Sequence, residues 1–155
     1  MLDITVQLVD KCDERFPGVY FFTISIEVNQ GEFISLASIP LDDVQELAWF
    51  RENLESIKND ILPVPIGDYV SIAKIIRDFY SSDDMDEFVI GELYNYRVSH
   101  GLRFAFRGRD IPDIYIGKLN DDYQISCSDS DFEFCYSFNI NNFIHLVDDL
   151  VENLK

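Results

Sequence analysis

The side chains of this 155-residue chain best suited to chemistry are two histidines, three cysteines and a large excess of carboxylates. Their spacing argues against most catalytic uses. His100 stands beside Gly101 in an expected turn and His145 in an expected final helix, and neither lies in a pattern typical of a zinc site. Cys12, Cys127 and Cys135 form an odd set without a CxxC pair, which suits reduced thiols in a cytoplasmic protein. Cys127 and Cys135 fall on two expected strands that flank one turn, where they would pack as small apolar residues. Two segments carry closely spaced carboxylates, Asp83-Asp84-Met85-Asp86-Glu87 and Asp129-Ser130-Asp131-Phe132-Glu133. A calcium loop needs a glycine at its sixth position and a distal glutamate, and neither segment has both. No glycine-rich phosphate loop occurs. The chain is therefore expected not to be an enzyme and to need no cofactor or metal.

What remains is charge. Twenty-nine acidic residues against twelve basic ones leave a formal net charge of −17. Such a surplus repels itself in a compact state, and it attracts positive partners. A basic protein, a site that normally holds nucleic acid, or a metal cation would fit. Direct binding to nucleic acid or to an anionic membrane is disfavoured by the same sign. The acids cluster in two blocks without Lys or Arg, Asp78 to Glu92 and Leu119 to Leu154. Between them Arg97, Arg103, Arg107 and Arg109 make up a third of the twelve basic residues. Cross-strand pairing with acids is the plain reading of these arginines, and contact with an acidic partner rim the sharper one. The acids at expected turns have an ordinary structural use as well. As an ensemble they would form one negative rim able to steer a cationic partner. The candidate partner-binding residues are Asp83, Asp84, Asp86, Glu87, Asp121, Asp122, Asp129, Asp131 and Glu133, with Tyr94, Tyr96 and Tyr123 as less polar anchors.

The elements that must position these residues follow from periodicity. Hydrophobic residues make up 47% and aromatics 14%, too apolar for a disordered acidic tail, and the length suits a single domain over residues 1–155. Leu2, Ile4, Val6 and Leu8 alternate as a half-buried strand, and after a polar loop from Asp10 to Glu14 and Pro17-Gly18 so do Tyr20, Phe22, Ile24, Ile26 and Val28. Asn29-Gln30-Gly31 turns the chain into a third strand, Phe33 to Ile39. Val44, Leu47, Ala48, Leu54, Ile57 and Ile61 then recur at helical spacing, ended by Pro63 and Pro65. A second helix is expected from Asp68 to Tyr80. A third spans Met85 to Val98, with Met85, Phe88, Val89, Leu93 and Tyr96 on its apolar stripe; a short helix followed by a strand is the alternative. Leu102, Phe104 and Phe106 alternate as a strand, followed by Ile114 to Leu119, Tyr123 to Cys127 and Phe132 to Phe138. Asn139 or Asn141 would cap a closing helix with Phe143, Val147, Leu150, Val151 and Leu154 inward. The expected class is α+β, with a mainly antiparallel sheet of about six to seven strands, a central helical block and a C-terminal helix. No secretory signal pattern or membrane-length apolar run is found, and the expected location is the cytoplasm.

The order of these elements carries a resemblance. A strand meander leads to the helix Leu41-Asp42-Asp43-Val44-Gln45-Glu46-Leu47-Ala48-Trp49-Phe50, then to hairpins ending in Phe132-Glu133-Phe134 and a closing helix Asn142-Phe143-Ile144-His145-Leu146-Val147. This resembles the small acidic immunity proteins of bacterial contact-dependent growth inhibition and other polymorphic toxin systems. The resemblance implies a non-catalytic cytoplasmic protein that binds and neutralises a cognate toxin domain, often a nuclease with a basic cleft. A phage-type DNA mimic, such as an anti-restriction or anti-CRISPR inhibitor, is the alternative, and it would require carboxylates spaced like phosphates.

Overall fold

Periods of two, three to four, two and three to four again along the chain become, in the computed structural model, which describes residues 3–10, 20–83 and 86–153, three strands, a 3-10 turn with five α-helices, three strands and a closing α-helix. The chain divides into two units. One is drawn from Met1–Glu52, Ala105–Ile111 and Phe138–Lys155, the other from Asn53–Phe104 and Pro112–Ser137. The expected loop after Asp10 with its Pro17-Gly18 turn, Cys12, Asp84, Met85 and Leu154 lie outside the described residues.

In the first unit, β1 (Asp3–Asp10), β2 (Tyr20–Asn29) and β3 (Glu32–Leu41) form an antiparallel meander in that order. Alternation places Ile4, Val6, Phe22, Ile24 and Ile26 on one buried face. A register shift between Ile24 and Ser25 leaves an extra residue in β3, so that Leu36 and Ala37 are both buried while Phe33 and Ile34 stay exposed. A 3-10 turn, Val44–Leu47, runs into α1 (Ala48–Glu52). Asp43 and Glu46 close a capping box here, Asp43 accepting from the Gln45 amide at 2.8 Å and Glu46 accepting from the Asp43 amide at 3.3 Å. Arg109 joins them, 2.6 Å from Asp42 and 2.7 Å from Glu46. The closing helix α6 (Ile140–Asn153) packs on β1, and Asn139 caps it by accepting from the Asn142 amide at 3.1 Å. Phe22, Phe50, Phe106, Phe138 and Phe143 build the centre, with ring centroids 5.3–5.9 Å apart along the chain Phe106–Phe22–Phe50–Phe143–Phe138.

The second unit holds α2 (Leu54–Asn59), α3 (Ile72–Tyr80), α4 (Glu87–His100), most of the short α5 (Leu102–Ala105), and a second antiparallel meander of β4 (Ile114–Leu119), β5 (Asp122–Ser128) and β6 (Glu133–Ser137). Its core joins Ile72, Ile75 and Ile76 of α3 with Leu93 and Tyr96 of α4 and Tyr115 and Leu119 of β4. Side chains of β5 fasten α3 to the sheet. Gln124 accepts from the Ile72 amide at 2.8 Å and donates to the Val70 carbonyl at 2.8 Å, and Ser126 accepts from the Ala73 amide at 3.1 Å. These satisfy first-turn amides that a helix leaves without internal partners. At the other end of α3, Arg77 donates to the Ser128 hydroxyl at 3.4 Å. Helix α3 therefore runs along β5 in the same direction, with its last turn at the Ser128 end.

Several expectations need correction. One sheet of six to seven strands becomes, among the described residues, two separate three-stranded sheets. The expected strand from Leu102 to Phe106 contains α5 instead; over five residues, alternation also places Leu102 and Phe106 at the i, i+4 spacing of a helix, and both are buried. The first helical run breaks at Asn53 and ends at Asn59, which leaves Ile61 82% exposed. Between Glu87 and His100 the chain is one helix, so the helix-then-strand alternative falls. Its stripe is Val89, Leu93, Tyr96 and His100, and Phe88 lies off it at 74% exposure.

Candidate functional site

The predicted partner-binding acids of the β4–β5 and β5–β6 turns separate into two groups at opposite ends of β5. Asp121 and Asp122 stand at the β4–β5 turn, where Leu119 pairs with Asp122 around Asn120 and Asp121. Both turn residues have positive φ, 52° and 112°, as a two-residue hairpin that matches sheet twist requires. Asp129, Asp131 and Glu133 stand at the β5–β6 turn. Its backbone closes by the Asp129 amide donating to the Phe132 carbonyl at 2.7 Å and the reverse bond at 3.3 Å, while the Asp129 carboxylate accepts from the Ser130 amide at 2.8 Å. Six residue steps of β5 separate these turns by about 20 Å. The expected single rim is corrected accordingly: successive turns of a meander lie at opposite ends of its sheet.

The Ser128 end gathers the larger group. The last turn of α3 lies there, and Asp83 follows it directly. Val89 in the first turn of α4 packs on the same ten-residue cluster as Phe79 and Tyr80 of α3, and Tyr80 accepts from Arg97 in the last turn of α4 at 3.4 Å. Asp86 caps α4 by accepting from the Phe88 amide at 2.8 Å, and Glu87 fills the first turn, where a negative charge meets the positive end of the helix dipole. Asp83, Asp86, Glu87, Asp129, Asp131 and Glu133 are all exposed, and among the described residues none forms an ion pair. Their field reaches the interior. Burial pushes the Cys127 thiol up to about 11, and the carboxylates of Asp129, Asp113 and Glu133 contribute in the same direction.

The tyrosines divide differently from expectation. Tyr94 is half exposed and packs edge-on against Phe104 at 5.8 Å. Tyr123 is half-buried and donates to the Lys58 carbonyl at 3.2 Å. Tyr96 is no surface anchor. It is 4% exposed and stacks on the His100 ring at 3.7 Å, and its hydroxyl is buried without a hydrogen-bond partner. Burial raises its pKa well above the ordinary tyrosine value, with Asp60 adding to the shift.

His100 is the last residue of α4 and fully buried, not part of an open turn. Its Nε2 lies 3.0 Å from the Ser56 carbonyl, and its Nδ1 lies 2.7 Å from the Tyr96 carbonyl and 2.8 Å from the Ser99 hydroxyl. Burial lowers its pKa; the two carbonyls and Asp60 pull the other way and lose. A neutral ring carries one N–H and so donates to only one of the two carbonyls, Tyr96 through Nδ1 or Ser56 through Nε2. Gly117 makes room for this stack, since a Cβ there would stand 2.7 Å from the Tyr96 hydroxyl and 3.1 Å from His100 Cδ2. His145 is exposed on α6, with Nε2 3.5 Å from Asp149.

Neither reading of the four arginines describes Arg97. It lies over the Tyr80 and Phe104 rings, 5.1 and 5.8 Å from their centroids, and donates to the Tyr115 hydroxyl at 2.9 Å. Arg109 does pair with acids, but with Asp42 and Glu46 around the capping box rather than across strands. Cys127 and Cys135 occupy opposite faces of the sheet, because Cys127 pairs with Phe134 and Cys135 with Ser126. Cys127 is a buried packing residue, whereas Cys135 is exposed, with its sulfur 3.4 Å from the Val70 carbonyl. Among the described residues no group of three or more His, Cys, Asp or Glu side chains could hold a metal ion, and no helix is long and apolar enough to cross a membrane.

No protein-family model matches the chain, and no match is found among curated proteins or solved structures.

Proposed function

We propose that this chain is a non-catalytic immunity protein that binds and neutralises a cognate bacterial toxin domain in the cytoplasm, the toxin being a nuclease with a basic cleft. The observation that carries the reading is the set of exposed carboxylates in the β5–β6 turn and, separately, at the start of α4, none of them in an ion pair among the described residues, on a chain of net charge −17. A nuclease cleft is positive because it must hold phosphate. A negative surface held on rigid elements can occupy or shield it, and long-range attraction speeds encounter at low salt. The DNA-mimic alternative asks for regular rows of carboxylates. The acids described here lie in turns and helix caps, which favours a compact patch over a ridge.

The test is co-expression with the product of the adjacent open reading frame. That product is expected to kill cells alone and to spare them when this protein is present, with an association rate that falls steeply as salt is added. A toxic product that this protein neither binds nor neutralises would refute the reading.

A further inference from the structure

Besides its acidic turns, the second unit holds a cavity formed by the chain leaving α2 and by the middle of α4. It is lined by Asp60, Ile61, Pro63, Glu92, Asn95 and Tyr96 and has a volume of about 290 Å³. Asp60 is the C-terminal cap of α2, and the chain runs on through Ile61 to Pro63. Asn95 and Tyr96 stand three and four residues after Glu92 on α4, the spacing that brings side chains to one side of a helix.

The lining divides by polarity. Ile61, which helical spacing would turn inward, is 82% exposed and forms the apolar part with Pro63. Asp60 and Glu92 are exposed, and among the described residues neither forms an ion pair. The Tyr96 hydroxyl stands apart from both sets. It is buried without a hydrogen-bond partner, and it lies so close over β4 that a Cβ at Gly117 would come within 2.7 Å of it. Burial raises its pKa and Asp60 adds to the rise, so this oxygen and a carboxylate of the cavity lie within electrostatic reach of each other. A buried hydroxyl left unpaired is costly, and folded proteins seldom keep one without a use.

Two carboxylates, an amide oxygen and a phenolic oxygen can all accept from N–H groups. An ammonium offers three such donors on a point charge, whereas a guanidinium offers five in one plane. The methylene stem that carries a guanidinium is apolar and would lie along Ile61 and Pro63. We propose that this cavity receives the arginine side chain of a bound basic protein. Asp60 and Glu92 meet its charge, the Tyr96 hydroxyl accepts one of its N–H groups, and Ile61 and Pro63 cover its stem. This rests on the reading above that a basic protein is the partner, and it adds which side chain that partner contributes and what takes it.

N-acetylarginine methylamide, its lysine counterpart and the uncharged citrulline counterpart test it, each titrated into the whole protein and followed by amide NMR. The arginine compound is expected to give saturable shifts at residues 60–63 and 92–96. The lysine compound should bind severalfold more weakly and the citrulline compound not measurably. Tyr96→Phe changes no charge, and it should weaken the arginine compound about tenfold. Its melting temperature should stay level or rise, since the lost hydroxyl has no partner in the free protein. Glu92→Gln, at an exposed position, should weaken binding about threefold with unchanged melting. Arginine shifts that spread over every acidic turn and ignore Tyr96→Phe would show diffuse attraction and overturn the site. Equal or tighter binding of the lysine or citrulline compound would overturn it too. A lower melting temperature in Tyr96→Phe would show the hydroxyl satisfied within the fold, with the same consequence. Toxin neutralisation without arginine binding here would remove the cavity and keep the partner; arginine binding without neutralisation would keep the site and remove the toxin as its source.

Discussion

At one end of β5 the chain turns through Asn120 and Asp121, beside Asp122, and at the other through Ser130 and Asp131, between Asp129 and Glu133. The first turn is accounted for locally. Its two central residues take left-handed conformations, which Asn and Asp tolerate better than other non-glycine residues. Nearby polar groups are used up inside the unit, with Tyr123 on the Lys58 carbonyl and Gln124 on α3. At the second turn, the exposed carboxylates of Asp129, Asp131 and Glu133 form no ion pair among the described residues and flank the exposed Phe132. Acidity at a turn thus has different meanings: an acid that serves a turn or a helix needs no partner to explain it, whereas carboxylates without such a role beside an exposed ring do.

Breaking the inner half of this comparison should have the largest effect on stability. Gln124→Ala removes two 2.8 Å hydrogen bonds and leaves the Ile72 amide and the Val70 carbonyl short of partners. A loss of about 2–3 kcal/mol is expected, read as a lower denaturant midpoint at unchanged slope. Ser128→Ala, at the other end, gives up only a 3.4 Å contact from a partly exposed arginine and should cost less than about 0.5 kcal/mol.

The outer half is sharpened by charge. Converting Asp129, Asp131 and Glu133 together to their amides should slow association with the proposed toxin partner by about tenfold at an ionic strength of about 0.1 M. The same change at Asp121 and Asp122 should slow it by less than about threefold, because the separation of the two ends exceeds a Debye length under ordinary conditions. Equal slowing by both sets would abolish the distinction between the turns.

A smaller effect concerns pH. Because burial lowers the folded-state pKa of His100 below the ordinary value of 6.5, its contribution is fully present above that value, where the ring is neutral in both states. As pH falls below 6.5 the unfolded chain takes up the proton first, and stability drops until the folded-state pKa is passed. Chemical denaturation of wild type and His100→Asn across this window should show a pH-dependent loss in wild type that the variant lacks. An effect of opposite sign is expected at Asp121, whose φ of 112° suits glycine. Asp121→Gly should raise stability by about 0.5–1 kcal/mol and leave toxin binding unchanged.

Much of the local structure was legible. Alternation in Ile4–Leu8, Tyr20–Val28, Ile114–Leu119 and Tyr123–Cys127 marks strands because a half-buried pleat demands it, and the stripe of Phe143 and Val147 marks α6 for the corresponding helical reason. The short α5 was not legible, since five residues satisfy two periods at once. On α4 the exchange of roles between Phe88 and Tyr96 was legible in principle: stepping from Phe88 meets Glu92 and Asn95, whereas stepping from Val89 meets Leu93, Tyr96 and His100.

By itself, then, the sequence determined the class of elements, the sign of the charge and the turn chemistry, because each depends on residues within a few positions of one another. Only the tertiary structure decided that the strands form two sheets and that the acids fall at opposite ends of β5. It also decided that His100 and Tyr96 are interior and that Phe88 and Phe132 are left outside. Those outcomes depend on which segments meet across fifty or more positions, as Gln124 meets Ile72, and no local period encodes such a meeting.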